Sequence, residues 1–372
     1  MPMPSFALYR LPHQDSYTSV VQTVGDTLEL HSPVELNGRS GFVVAPFSVT
    51  AQYPLLLIRP DVVESQMVGR KCSCHQLLFS GGSVQSLRTV GTDSTCRPDR
   101  VSGPSGQTVR TVYSDSFNVF HRQLLTGRFR KVVLSRCLTI GHGPDVDAFS
   151  LFETACRSYP RLFIALVYTP KSGLWLTATP EVLLDRTADH WHTIALAGTM
   201  RMEGDDLLGE GEQMRWSAKN IEEQRLVATY IADQLKPYVS NLEEEGPRTV
   251  RAANLVHLRS DFTFTLLNNT RIGDLLQALH PTPAVCGLPK DDAYRFILAN
   301  EPAPRQYYSG FMGPLDIDRQ TSLYVSLRCM QITPDHFRLY AGGGLLKDSA
   351  EELEWQETEA KLETMKRCIA VK

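Results

Sequence analysis

The sequence predicts an α+β fold with large, mostly antiparallel sheets. Three observations predict it. Short runs rich in β-branched and aromatic residues gather in clusters separated by turns, as in a meander. Helical stretches fall between these clusters and do not alternate with them strand by strand. The chain has 372 residues, 42% hydrophobic and 21% charged, so it can bury a large core and has ordinary globular composition.

The N-terminal third carries short extended runs at Ser5 to Arg10, Leu28 to Leu30, Gly41 to Pro46 and Leu55 to Arg59, punctuated by Gly and Pro. The stretch from Gly91 to Gln107 is rich in Gly, Ser, Thr, Asp, Arg and Pro and predicts an exposed loop. A helix is expected over Ser114 to Gly127, with Ser114 or Asp115 as its cap and Gly127 as its stop. Lys131 to Ile140, KVVLSRCLTI, has strand composition. Asp145 to Ser158 has helical spacing. Leu162 to Thr169, Leu174 to Ala178, Val182 to Arg186 and Trp191 to Leu196 then predict four strands of an antiparallel meander. Glu203 to Tyr238 is mostly helical in composition, with Leu226, Val227, Ile231 and Leu235 on one apolar face. Further short strands and helices are expected as far as Asn300. Ser322 to Ile332 and Phe337 to Tyr340 predict strands, and Glu351 to Ile369 a closing helix. A single domain is expected over residues 1–372, with every chemical motif in 111–372.

Lys and Arg number 38 against 41 Asp and Glu, a net charge of −3, which does not mark a nucleic-acid binder. No apolar run approaches the ~20 residues of a membrane span. Met1 to Arg10 lacks the basic start and apolar centre of a secretory leader. The eight cysteines are scattered, as expected for a reducing compartment. Cys72-Ser-Cys74-His75 lacks a second ligand pair at zinc spacing. Phosphate-binding glycine loops and the GxSxG nucleophile motif are absent. A cytoplasmic protein with a small-molecule substrate, and neither nucleic acid nor membrane as partner, is the expectation.

Six places have residues able to do chemistry. Ala341 to Gly344 sets three glycines directly after a strand, where backbone N–H groups can approach an anion. Glu354, Glu357 and Lys361 follow at helical spacing on one face, a set able to hold a hard cation beside an acid. Glu223, in KNIEEQRLV, lies at the edge of an apolar helix face. Lys131 enters an apolar strand, where a desolvated lysine can act as a base. Glu181, in LTATPEVLL, is a lone carboxyl between apolar strands, suited to staying protonated for general-acid work. Arg328, in SLYVSLRCMQI, stands in an apolar strand and needs a partner, such as a substrate carboxylate or an internal acid. The proline-rich run His280 to Lys290, HPTPAVCGLPK, predicts a rigid loop able to wall a pocket. From spacing alone, each of these also suits a surface or structural role.

Together the stretches KVVLSR (131–136), TATPEVLL (177–184), ALAGTMR (195–201), KNIEEQRLV (219–227), HPTPAVCGLPK (280–290), SLRC (326–329) and AGGGLLKDSAEELEWQETEAKLETM (341–365) resemble, in order, those of the chorismate-utilising enzymes. Anthranilate synthase component I belongs to this family, and the similarity is greatest to its isochorismate synthases. The resemblance implies two large, mostly antiparallel sheets packed as a sandwich with surrounding helices. It implies Mg²⁺ held by Glu223 and Glu357, with Glu354 nearby, and chorismate contacted by Gly198, Thr199, Arg328, Gly342 and Lys361. Ala284 and Val285 would line the ring pocket.

The implied reaction is isomerisation of chorismate to isochorismate. Lys131 as general base would activate water for attack on ring carbon 2, and Glu181 as general acid would protonate the hydroxyl leaving carbon 4. No redox cofactor is implied, and the reaction should be reversible. The product would feed menaquinone, or siderophores and salicylate. Aminodeoxychorismate synthases carry a lysine where this chain has Ala197, and ammonia-using relatives usually have glutamine where it has Lys131. A salicylate synthase, which also eliminates pyruvate, is the alternative. The resemblance implies a monomer with no glutaminase subunit. The chain departs from the family at Thr177 to Glu181, often Gly-Ala-Ser-Pro-Glu, and at Glu223-Gln224, often Glu-His or Glu-Asn, which bears on how the metal ligand is supported.

Overall fold

The computed structural model describes residues 3–73, 75, 78, 105–187, 190–201, 215–252 and 255–370. In chain order the first strands are β1 (Ser5–Arg10), β2 (Ser16–Gln22), β3 (Leu28–Leu30), β4 (Gly41–Ala45), β5 (Leu55–Ile58) and β6 (Val62–Met67). Helix α1 (Ser105–Leu125), β7 (Lys131–Gly141) and α2 (Ala148–Ser158) come next, then β8 (Phe163–Thr169), β9 (Gly173–Thr179), β10 (Val182–Thr187) and β11 (His190–Arg201). Helix α3 (Ala218–Leu235) leads into a long hairpin, β12 (Val239–Ala252) and β13 (Leu255–Leu266). There follow α4 (Ile272–Leu279), β14 (Gly287–Leu288), α5 (Lys290–Asn300), β15 (Phe311–Leu315), β16 (Thr321–Val325), β17 (Cys329–Ile332), β18 (His336–Leu345) and α6 (Glu351–Ala370).

Among the described residues the strands form two nine-stranded sheets, β14-β7-β18-β17-β9-β8-β1-β2-β6 and β12-β13-β11-β10-β16-β15-β4-β5-β3. Neighbouring strands pair antiparallel, for example β7 with β18 and β11 with β13. One core lies between the sheets. Ala7 and Tyr9 of β1, Phe163 and Val167 of β8, and Phe42 and Val44 of β4 meet there. The alternate residues face outward, yet are also covered. Ile164 and Leu166 of β8 pack under α2 and α6, and Val43 and Ala45 of β4 share a cluster with α3 and α4. Both faces are therefore dry, which is why these strands read as unbroken apolar runs instead of alternating ones.

Several expectations are corrected. Helix α1 begins at Ser105, inside the stretch read as a loop; residues 91–104 of that stretch lie outside the described residues. Of the helix expected over Glu203 to Tyr238, residues 203–214 lie outside the described residues. The helix described begins at Ala218, capped by Ser217, and ends at Leu235. The strands after it are not short: β12 has 14 residues and β13 has 12. β2 and β6 were not expected. They lie at the end of the first sheet, and β6 keeps most of its side chains partly or fully exposed, so no apolar run marks it.

The most consequential correction concerns Ser322 to Ile332. It is two strands in different sheets, β16 and β17, joined through Arg328 in the left-handed region at φ 45°. The link from β9 to β10 makes the same crossing at Pro180 and Glu181. The two crossings lie side by side. Val325 N–H donates to Glu181 O at 2.9 Å, and Ala178 N–H to Arg328 O at 3.1 Å. Arg328 and Glu181 are thus held where the chain passes between the sheets.

Candidate active site

A cavity opens at these crossings. Its wall includes Glu181, Arg328, Glu223, Glu357, Lys361 and the glycines at 198, 342 and 344. Thr199, Ala284 and Val285 complete the expected lining. Lys131 and Glu354 are not in the wall; Lys131 touches Glu223, which is.

Lys131 opens β7, between β14 and β18. Its side chain is 0% exposed, and Nζ lies 2.9 Å from Glu223 Oε1. The contact is an ion pair without good hydrogen-bond alignment, so the amine keeps bonding capacity to spare. Glu223 projects from α3 and is itself buried. Burial alone would raise its carboxyl, but Lys131, with Lys219 and Lys361 beyond, holds it below the usual carboxylate range. Gln224 faces elsewhere. Its Nε2 donates to Ala195 O and Ser260 Oγ at 3.3 and 3.1 Å, tying α3 to β11 and β13. The position that departs from the family pattern therefore fastens the helix to the sheet.

The glycine run passes beside this pair. A side chain at Gly344 would meet Glu223 and come within 2.7 Å of Lys131 Cε. One at Gly343 would lie 3.4 Å from Glu354 Oε2 and 3.7 Å from Glu357 Oε1. At Gly342 it would come within 2.8 Å of the Tyr308 hydroxyl. Gly344 is thus held bare by the Lys131–Glu223 pair and Gly342 by the Tyr308 hydroxyl, while Gly343 has room for a side chain. Glu354, Glu357 and Lys361 share the face of α6 turned to β18, as their spacing predicts. Lys361 Nζ donates to Glu357 Oε1 at 2.7 Å and to Gly342 O at 2.9 Å.

Three carboxylates therefore flank the run, each beside its own lysine: Glu223 with Lys131, Glu354 with Lys219, Glu357 with Lys361. Burial, and then Glu357, push the Glu354 carboxyl upward, against the pull of Lys219 and the Ser349 hydroxyl. Oxygen donors of this type suit a hard divalent cation. As they stand the acids lean on lysines, and among the described residues no three His, Cys, Asp or Glu are gathered closely enough to ligate one.

Glu181 is 3% exposed. Burial raises its carboxyl to about 7, against the pull of Lys131, Lys361, the Thr282 hydroxyl and Arg328. Opposite it, Arg328 donates to Ala252 O at 3.1 Å and lies 2.5 Å from His257 Nε2. Burial pulls its guanidinium down to about 10. Among the described residues it has no carboxylate at ion-pair distance, which leaves a dry cation facing the cavity. Arg328 does not stand inside a strand, and no internal acid among the described residues pairs with it.

His257 carries no signal in the sequence beyond being a polar residue in the apolar run LVHL. Burial, with Arg328 and Lys361, holds its ring well below the usual histidine value. Neutral, it accepts from Arg328 at Nε2, which leaves Nδ1 to donate toward Gly198 O, 3.3 Å away. Gly198 itself forms a bulge in β11 at φ 71°, where the register shifts between Ala197 and Thr199. Tyr308, also in the wall, is equally silent in the sequence. Behind Val285 a buried pair, Arg305 with Glu301, bonds to the carbonyls of Val285 and Val133 at 2.6 and 3.0 Å. It locks the pocket loop against the strand that carries Lys131.

The cavity between the two sheets thus gathers the cations Arg328 and Lys361 with the acids Glu181, Glu223 and Glu357, and residues 83–370 match the chorismate binding enzyme family. The chain belongs to that family. It is 31% identical over 243 residues to isochorismate synthase EntC of Escherichia coli (strain K12), covering 64% of this chain and 62% of that protein. It is 32% identical over 260 residues to isochorismate synthase DhbC of Bacillus subtilis (strain 168), covering 67% and 65%. The matches thus span less than two thirds of either relative. The fold is shared with the menaquinone-specific isochorismate synthase MenF of Escherichia coli, at a TM-score of 0.75 and 23% identity over 98% of this chain and 88% of that one.

Proposed function

We propose that this chain, as one chorismate-binding unit, isomerises chorismate to isochorismate. The observation that carries the proposal is the meeting around one cavity of buried Glu181, the Lys131–Glu223 pair and Arg328, which has no acidic partner among the described residues. The names of the relatives support it.

In this reading Arg328 and Lys361, with the bare amides near Gly198 and Gly342, hold the substrate's carboxylates. Ala284 and Val285 pack against the ring. Lys131 takes a proton from a water that attacks carbon 2. Glu181 gives a proton to the hydroxyl leaving carbon 4, so one water enters, one leaves and the composition is unchanged. Glu223 and Glu357, with Glu354 nearby, would hold Mg²⁺. When bound, that ion would draw charge from the ring carboxylate and relieve Lys131 of its acidic neighbour. The protein would work as a cytoplasmic monomer without a glutaminase subunit. No helix among the described residues is long and apolar enough to cross a membrane. Its product would supply menaquinone, or siderophores and salicylate.

The test is incubation with chorismate and Mg²⁺, with and without EDTA, followed by chromatography. Isochorismate formed only without EDTA is expected. Salicylate plus pyruvate would assign the chain to the salicylate synthases, and unchanged chorismate would refute the enzyme reading.

A further inference from the structure

Of the three lysines beside the carboxylates, two are fixed by more than charge. Lys131 is enclosed at 0% exposure, and Lys361 also bonds to the Gly342 carbonyl. Lys219 differs. It stands in the first turn of α3, and its side chain remains 26% exposed. Its ion pair with Glu354 is its single hydrogen bond among the described residues. A cation in the first turn of a helix opposes the macrodipole, so nothing in the helix itself favours a lysine there. Its partner Glu354 is 1% exposed, and among the described residues Lys219 is its single cation at ion-pair distance. A carboxylate buried this deeply requires a positive neighbour.

We propose that Lys219 is a built-in counter-ion: its ammonium holds Glu354 in the ion-free protein and yields that carboxylate when a divalent cation arrives. This rests on the reading of Glu223, Glu354 and Glu357 as the cation site. Lys219 is the most exposed of the three lysines, at 26% against 19% for Lys361 and 0% for Lys131. It therefore competes with the cation, keeps the acids from repelling one another in its absence, and sets how tightly the ion binds. If about nine ion-free molecules in ten hold this pair closed, the apparent affinity is reduced about tenfold.

The probe is Mn²⁺, titrated into the full chain with and without chorismate and followed by electron paramagnetic resonance. Lys219→Met should bind Mn²⁺ about tenfold more tightly than the parent. Lys219→Arg, which keeps the charge, should stay within about twofold. The ion-free Lys219→Met protein should also melt at a lower temperature, and Mn²⁺ should restore it. Lys219→Gln replaces Lys219→Met if the latter does not fold. Equal or weaker Mn²⁺ affinity in the uncharged variants, with the parent binding normally, overturns the counter-ion role and leaves the cation site standing. Absence of Mn²⁺ binding by the parent under both conditions overturns the cation site and this inference with it.

Discussion

Gly344 leaves no room for a side chain, because Glu223 and Lys131 occupy the space where one would stand. Gly344→Ala must push that pair apart. A stability loss of about 1–3 kcal/mol is expected from overpacking. Turnover should fall further than stability accounts for, and chemical denaturation alongside chorismate kinetics separates the two. Glu181 offers a sharper residue-scale test. A carboxylic acid titrating at about 7 is protonated below that pH and ionised above it. A general acid must be protonated, so turnover should decline as pH rises past about 7. Glu181→Gln should remove that limb and lower turnover by about 10²- to 10⁴-fold. An unchanged profile in the variant would deny Glu181 the role.

Elements divide into those that carry the site and those that cover it. α3 and α6 bring the three acids, Lys219 and Lys361 to the glycine run of β18, and β7 brings Lys131. α2 only covers: it packs against the outer face of the first sheet through Phe149 and Phe152. Its cap is Asp147, which accepts from the N–H groups of Phe149 and Ser150 at 3.0 and 3.2 Å. Asp147→Ala should therefore cost about 1 kcal/mol of stability and leave chorismate turnover unchanged. A large loss of turnover at full folding would show that the cover and the site are coupled. The strand β7 was legible from its composition, and α6 from its spacing. The break between β16 and β17 was not, because nothing local in SLYVSLRC distinguishes one long strand from two strands in separate sheets. The hydrogen bonds that decide it come from Ala178 and Glu181, far away in the chain.

The whole molecule makes the site where its two sheets exchange strands. Arg328 and Glu181 meet only there, and the unfolded chain cannot reproduce the arrangement. A ligand that needs both binds the native state alone. Isochorismate at about a hundred times its dissociation constant should stabilise the fold by about 2.7 kcal/mol, read as a rise in melting temperature. Arg328→Met should lose most of that rise while melting as a folded protein. A full rise in the variant would place the ligand's carboxylates elsewhere.

By itself the sequence determined the fold class, most of the strands and helices, and the kinds of residue that do the chemistry. Those properties follow from composition and periodicity over a few turns of chain. Only the tertiary structure decided that Arg328 has no acidic partner among the described residues, that His257 orders it, and that each carboxylate leans on a particular lysine. Such pairings join residues distant in sequence, and their energies depend on burial, which no local pattern records.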